Sequence, residues 1–347
     1  MGISWRTIFG VFSALTMSVQ FSYAAEDAEF YQAHPVTIIV GAAAGEAYTG
    51  YSRMIAKYLP KHVSGLLNAI VLNMPGAGGL TAANHLYNVA PQDGSTIGVF
   101  SRAILKQPLL DTSGIKFDVT KFKWIGSPAQ EVGVTFSWHT TSIKTIQDVQ
   151  KESMLVGAIG AGGDSQVIPF VLNSVLKTQF KVVKGYQGAA EYLLAIERGE
   201  LQGSAITSWV GVLKGSHQQW IDERKINVLL QLGQFGREEL KGVPLAIDLA
   251  TNESDKKLLE LMLATQTVAY PYVAPPNIPI NRLQIFRDAF NSLVRDDEFL
   301  KTAAQANMEV SPLSGTEIEN LIANIYASPS DVVARARDIV SAGRNNP

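Results

Sequence analysis

The same order of elements occurs twice in this 347-residue chain, and that repetition limits the possible folds more than any other feature. The first block opens on Val36-Thr37-Ile38-Ile39-Val40, a β-branched run typical of a strand buried on both faces. A small-residue loop, Gly41 to Glu46, follows. Tyr51, Met54, Ile55, Tyr58 and Leu59 then fall at helical spacing. Ala69-Ile70-Val71-Leu72 is the next strand and completes a βαβ unit. Pro75-Gly76-Ala77-Gly78-Gly79 turns the chain into a helix from Leu80 to Asn88, and Asp93-Gly94 turns it again into a strand at Thr96 to Phe100. The second block repeats this grammar. A strand at Met154 to Ala158 leads into the glycine loop Gly160-Ala161-Gly162-Gly163, an apolar helix from Val167 to Leu176 and a strand at Phe180 to Val183. A helix from Ala189 to Glu197 and a strand at Gly203 to Ile206 close it.

Two βαβαβ blocks imply an α/β protein of two doubly wound domains; one continuous sheet is the alternative. Trp124 to Ser127 and Val132 to Trp138 read as strands between the blocks and suit a crossover into a second domain. The C-terminal part reads as helical. Leu283, Phe286, Phe290, Leu293 and Val294 make one apolar stripe, and Ser314 with Glu317 forms a capping box ahead of Ile318, Leu321, Ile322 and Ile325. Ala274-Pro275-Pro276 suits either a hinge strand returning to the first domain or an ordinary surface turn. The expected division is a leader over 1–24, a first domain over 25–130 plus 271–347, and a second over 131–270.

The leader is expected from Arg6, an apolar run between Ile8 and Val19, and Ser22-Tyr23-Ala24 at the positions a signal peptidase reads. The run is short for a membrane span, which needs about 20 apolar residues. Export to the periplasm is therefore the expectation, with cleavage after Ala24. Net charge is −2 and the sequence pI about 6.2, which gives no basic surface for nucleic acid. The chain has no cysteine, so disulfides, thiolate metal sites and a cysteine nucleophile are excluded together.

In open α/β sheets, ligands sit beyond the carboxyl ends of the strands, against helix N-termini. Two loops hold that position: Gly45-Glu46-Ala47-Tyr48-Thr49 after the opening strand, and Gly160-Ala161-Gly162-Gly163-Asp164-Ser165 after the strand that opens the second block. Backbone N–H groups there can hold an anion, and glycine admits it closely; tight turns without a ligand are the competing explanation. Tyr48, Tyr51, Tyr186 and Trp209 are candidates to stack on a planar group. Gly160-Ala161-Gly162 begins like a dinucleotide fingerprint, but Ser165 stands where its last glycine belongs, and no P-loop is present. His34, His62, His85, His139 and His217 are scattered, so neither a metal nor a cofactor is expected. The sequence around Ser165 is not a nucleophile elbow. Asp164 reads as a helix cap. Nothing assembles a nucleophile, base and orienter, so binding without chemistry is expected.

Taken in order, these motifs resemble the periplasmic solute-binding component of tripartite tricarboxylate transporters, the TctC or Bug family. The resemblance runs through Val36 to Val40 with Arg53, Asn73-Met74-Pro75-Gly76-Ala77-Gly78-Gly79, Ala90-Pro91-Gln92-Asp93-Gly94, Gly157 to Ser165 and Gly185-Tyr186-Gln187-Gly188. It continues through Arg198-Gly199-Glu200 and Ala274-Pro275-Pro276. It implies a Venus-flytrap periplasmic-binding-protein fold that captures a small organic solute, a carboxylate, and passes it as a monomer to a two-component membrane permease. The expected ligand-binding residues are Gly45, Ala47, Tyr48, Thr49, Gly160, Gly162, Gly163, Ser165, Tyr186, Ser208 and Trp209. A ligand-dependent sensor docking on a membrane histidine kinase would use the same fold. One departure stands out. Relatives carry a run of glycines and then an Asp in the first loop, whereas this chain has Glu46, Ala47 and Thr49 there. A carboxylate at Glu46 repels a ligand carboxylate unless it turns away.

Overall fold

The computed structural model describes residues 25–159, 163–186 and 188–345. The expected leader lies outside them, as do Gly160, Ala161 and Gly162 of the second loop and Gln187 of the Gly185-Tyr186-Gln187-Gly188 segment. Residues 25–33 are helical and lead into the first strand.

Among the described residues, six strands form one sheet and five form another. The first sheet has the order β11-β4-β10-β3-β1-β2. Its strands are β1 (Val36–Val40), β2 (Ala69–Asn73), β3 (Thr96–Val99), β4 (Lys123–Ser127), β10 (Tyr272–Ala274) and β11 (Leu313–Ser314). β1 runs parallel to both β2 and β3, with Val36 opposite Ala69 and Thr37 opposite Thr96. The second sheet has the order β7-β6-β8-β5-β9 and is built from β5 (Gly133–Trp138), β6 (Met154–Ile159), β7 (Phe180–Tyr186), β8 (Gly203–Ser208) and β9 (Ile226–Leu232). β6 is parallel to β7 and β8, while β5 is antiparallel to β8 and β9. Each sheet with its packed helices is called a lobe below. The two-domain α/β architecture expected from the repeated blocks is therefore present.

The central strand β1 explains the first core. Ile38 and Val40 face Tyr51 and Ile55 of helix α1 (Ala47–Tyr58), with Leu283 and Phe286 behind them; Ile39 faces Leu86 of helix α2 (Leu80–Asn88), with Phe100 on the same side. A strand covered on both faces has no solvent-facing side, hence the unbroken apolar run. In the second lobe, helix α3 (Asp164–Leu176) buries Ile168, Val171 and Leu172 beside Val156 and Leu230. Helix α4 (Ala189–Glu197) covers the opposite face with Leu193 and Ile196.

The chain leaves the first sheet after β4 and returns as β10, which inserts antiparallel between β3 and β4, Val273 lying opposite both Gly98 and Trp124. Ala274-Pro275-Pro276 is thus the end of the returning strand and its exit. Helix α5 (Glu253–Leu263) precedes that return, helix α6 (Ile280–Leu293) and helix α7 (Gly315–Tyr326) pack on the first lobe, and the capping box at Ser314 and Glu317 is formed. The last helix, α8 (Ser330–Asn345), crosses over. Its Val332, Ala336 and Val340 join the core of the second lobe, against α3 and α5.

Two glycine turns have clear backbone reasons. Gly76, Gly78 and Gly79 all have positive φ, which lets the chain reverse within five residues before α2. Gly94 has φ +94°, and a side chain there would collide with Arg282 and Tyr31.

Candidate functional site

The segments after β1 and β3 touch through Tyr48 and the Arg102 N–H, those after β3 and β6 through Lys106 and Asp164, and the turn after β8 bonds Glu131 of the segment that crosses between the lobes. These segments, with the two crossing segments near 128–132 and 264–271, form the walls of the junction of the two lobes.

The first loop is held from beneath. The Glu46 N–H donates to the Ala43 carbonyl at 3.1 Å, and the Ala43 N–H donates back to Glu46 Oε1 at 3.2 Å. Thr49, fully buried, donates to the Ala43 carbonyl at 2.8 Å and accepts from Asn73 Nδ2 at 2.7 Å; the same amide donates to the Ala42 carbonyl at 2.8 Å. Thr49 and Asn73 are thus struts under the loop. Gly45, Glu46 and Ala47 are exposed at its tip, and a Cβ on Gly45 would meet nothing within 4 Å. Glu46 occupies the N-cap position of α1 but makes no side-chain cap bond. In the first turn of α1 the Thr49 and Gly50 N–H groups bond the Glu46 carbonyl at 3.0 and 3.2 Å, and those of Ala47 and Tyr48 have no partner among the described residues.

Tyr48 lies on the same wall, backed by the buried Tyr51 and Tyr270. Tyr48 meets Tyr270 edge-on with ring centres 5.0 Å apart, and Tyr51 lies 4.2 Å from Tyr270. The Tyr51 hydroxyl donates to the Glu309 carbonyl at 2.8 Å. The backbone N–H of Arg102 donates to the Tyr48 hydroxyl at 3.4 Å. Burial pushes the Tyr48 hydroxyl above its ordinary pKa; nearby Arg102 opposes this, and the Asp164 and Glu46 carboxylates reinforce it. That set of neighbours puts the first loop, Arg102 and the head of α3 together. Tyr186 ends β7 opposite Ile159, the residue that leads into the second loop. It contacts Tyr192 edge-on at 6.4 Å, and its acidic neighbours are Glu200 and Glu191.

Asp164 is not the helix cap the sequence suggested. Gly163 holds the N-cap position, and the Asp164 carboxylate instead takes Lys106 Nζ at 3.0 Å and Gln266 Nε2 at 2.6 Å. Lys106, buried in the first lobe, also donates to the Met262 carbonyl at 2.6 Å and to Thr265 Oγ1 at 3.2 Å. Burial works against the Asp164 charge, but Lys106 and Arg102 outweigh it and hold the pKa below its ordinary value. Gln266 is buried, and its Oε1 has no partner among the described residues. Ser165 Oγ accepts the Ile159 N–H at 2.9 Å, so its hydroxyl braces the base of the glycine loop. A Cβ on Gly163 would lie 3.2 Å from the Ile159 carbonyl oxygen, a tight fit.

A carboxylate of the chain itself occupies the turn after β8. Glu131, 6% exposed, accepts the N–H of Val132 and of Val210 at 2.9 Å and that of Gly211 at 3.0 Å. Ser208 donates its hydroxyl to the same carboxylate and accepts from Gly211 N–H at 2.9 Å. This is anion binding at a helical turn, with the anion supplied internally. Trp209 is buried in the core beside Leu213 and Trp220, and its Nε1 donates to Glu239 at 2.6 Å. Its ring is spent on packing and does not stack at the junction.

Of the residues singled out in the sequence, Gly45, Ala47, Tyr48, Gly163 and Asp164 come together, with Thr49 and Ser165 supporting them from behind. Tyr186 stands beside the base of the second loop, opposite Ile159, and Trp209 is buried in the core. Lys106, Arg102, Glu131 and Gln266 were not singled out. Lys106 follows the buried pair Ile104-Leu105, an odd place for a lysine, but its partner lies 58 positions away. Among the described residues, no group of three His, Asp or Glu side chains could hold a metal, and no helix is long and apolar enough to cross a membrane.

No family model matches the sequence, and no curated protein matches it. Solved structures do match. A TctC solute binding protein from Polaromonas superposes with a TM-score of 0.65 at 17% identity, covering 90% of this chain and 99% of that one. MatC from Rhodopseudomonas palustris, with bound malate, gives 0.64 at 18% identity, covering 88% and 99%. Rpa4515 from R. palustris, with adipate, gives 0.64 at 15% identity, covering 89% and 97%. The chain shares the two-domain fold of these proteins over nearly its whole described length.

Proposed function

We propose that this chain is a periplasmic solute-binding protein of the tripartite tricarboxylate type, which closes its two lobes on a small carboxylate and releases it to a two-component membrane permease. The observation that carries this reading is the approach of the turn after β3 to the head of α3, where Asp164 accepts Lys106 Nζ at 3.0 Å, while the same turn donates the Arg102 N–H to Tyr48 of the first loop. Two N-terminal helix ends and an aromatic wall converge there, and such a site favours an anion with an organic body. Malate and adipate, the ligands named for two structures of the same fold, have that chemistry. The division into 25–130 plus 271–347 and 131–270, with 1–24 removed on export, is part of the proposal. The site holds the solute through fixed donors and lobe closure, and no step of bond making is involved.

A thermal-shift screen of the chain beginning at Ala25, against di- and monocarboxylates, amino acids and amides, tests the reading. A solute present at 100 times its Kd adds about 2.7 kcal/mol of stability. Stabilisation by carboxylates over their amides is the expected result. Stabilisation by none of the acids would refute it.

A further inference from the structure

Most charged groups at the lobe junction are already committed. Lys106 is consumed by Asp164, Thr265 and the Met262 carbonyl. Glu131 is enclosed by backbone N–H groups and Ser208. Glu46 is bent back onto the Ala43 N–H. Arg237 and Lys214, further along the junction, are held by Glu309 and Glu239.

Arg102 differs. It opens the short turn Arg102–Leu105 immediately beyond β3, four residues ahead of Lys106, at the carboxyl end where ligands of such sheets bind. It is half-buried. Its backbone N–H donates to the Tyr48 hydroxyl at 3.4 Å, which sets it beside the first loop, and its charge helps to hold Asp164 ionised. Yet among the described residues the guanidinium has no hydrogen-bond or ion-pair partner. A guanidinium keeps its charge at any physiological pH and presents a planar fork of donors that matches a carboxylate. Half-buried, it is only partly hydrated, and a bound carboxylate would supply the bidentate partner it lacks among the described residues.

We infer that Arg102 is the carboxylate anchor of the cleft, and that the cleft selects solutes bearing one carboxylate. This rests on the solute-binding function proposed above. A second carboxylate would meet Glu46, Glu131 and Asp164 at the junction, and no other uncommitted cation stands there among the described residues. The body of the solute would then lie against Tyr48, which is partly exposed and backed by the buried Tyr270.

Calorimetric titration of hexanoate, benzoate, adipate, hexanamide and benzamide into the wild type, Arg102→Gln and Arg102→Lys decides this. The expected result is that at least one monocarboxylate binds the wild type more tightly than adipate. It weakens tenfold or more in Arg102→Gln, about 1.4 kcal/mol, and less in Arg102→Lys, which keeps the charge without the fork. The amides should be indifferent to both substitutions. Circular dichroism confirms that each variant is folded. An acid that binds wild type and Arg102→Gln within twofold overturns the role of Arg102 and leaves the proposed function standing. Adipate binding better than both monocarboxylates overturns the selectivity. If none of the three acids binds the wild type, the carboxylate function itself fails, and the assignment of Arg102 falls with it.

Discussion

Lys106 of the first lobe and Asp164 at the head of α3 in the second stand 3.0 Å apart, and Lys106 is 2% exposed. The pair ties the lobes together beside the candidate site, and Gln266 from the crossing segment completes it.

Breaking that pair leaves a charge in the interior. Lys106→Met should cost about 3 kcal/mol in urea unfolding, the scale for removing one partner of a buried ion pair. A loss under 1 kcal/mol would show that Asp164 finds enough compensation in Gln266 and Arg102.

The same pair sets an acid limit. The Asp164 pKa is depressed in the folded chain, so ionised Asp164 contributes stability above the unfolded value, 3.8, and that contribution is lost as pH falls through the folded value. Stability measured from pH 5 downward should fall less steeply below 3.8 in Asp164→Asn than in the wild type. Parallel curves would remove Asp164 from the acid response.

A second clasp lies along the junction, where Arg237 Nη2 reaches Glu309 Oε1 at 2.7 Å and Oε2 at 2.9 Å. Both side chains are about a quarter exposed, so the pair is worth roughly 1 kcal/mol and weakens with salt. Glu309→Gln should raise the radius of gyration of the unliganded chain in solution scattering and speed solute release a few-fold. An unchanged radius and release rate would show that the clasp does not bear on opening.

Glu131→Ala strips a carboxylate from the N–H groups of Val132, Val210 and Gly211 and from Ser208. Unpaired buried donors cost about 1–3 kcal/mol each. The loss should exceed 3 kcal/mol by thermal unfolding; Ser208→Ala, which removes one of these contacts, should lose about 1–2 kcal/mol. Equal losses for the two would show that water replaces the carboxylate.

What the sequence displayed was governed by local pattern. β1, β6 and helices α2 and α4 stand where hydrophobic runs and glycine turns put them, because burial on both faces and positive φ leave direct marks in a sequence. β9 lies outside the repeated blocks, and its Ile226–Leu232 run pairs with β5, a strand nearly 90 positions upstream, so nothing nearby announces it. β11 is two residues long and exists only through its pairing with β4. At the site, the loops could be read, but the side chains that act across the junction could not. Asp164 has the sequence of a cap, and only the approach of Lys106 from the other lobe makes it an ion pair. Trp209 follows a strand end, as a stacking residue would, but Glu239 and the core of the second lobe claim it. Arg102 follows β3 with no motif around it, and the lack of a partner for its guanidinium among the described residues is a property of three dimensions.

Calorimetric titration of the chain beginning at Ala25 with the best carboxylate from the stability screen, and with the amide of that acid, tests the central claim most directly. The account predicts saturable binding of one acid per chain with a micromolar or lower Kd, and at least tenfold weaker binding of the amide, a difference of about 1.4 kcal/mol. Equal binding of acid and amide, or no saturation by the acid at millimolar concentration, would contradict it.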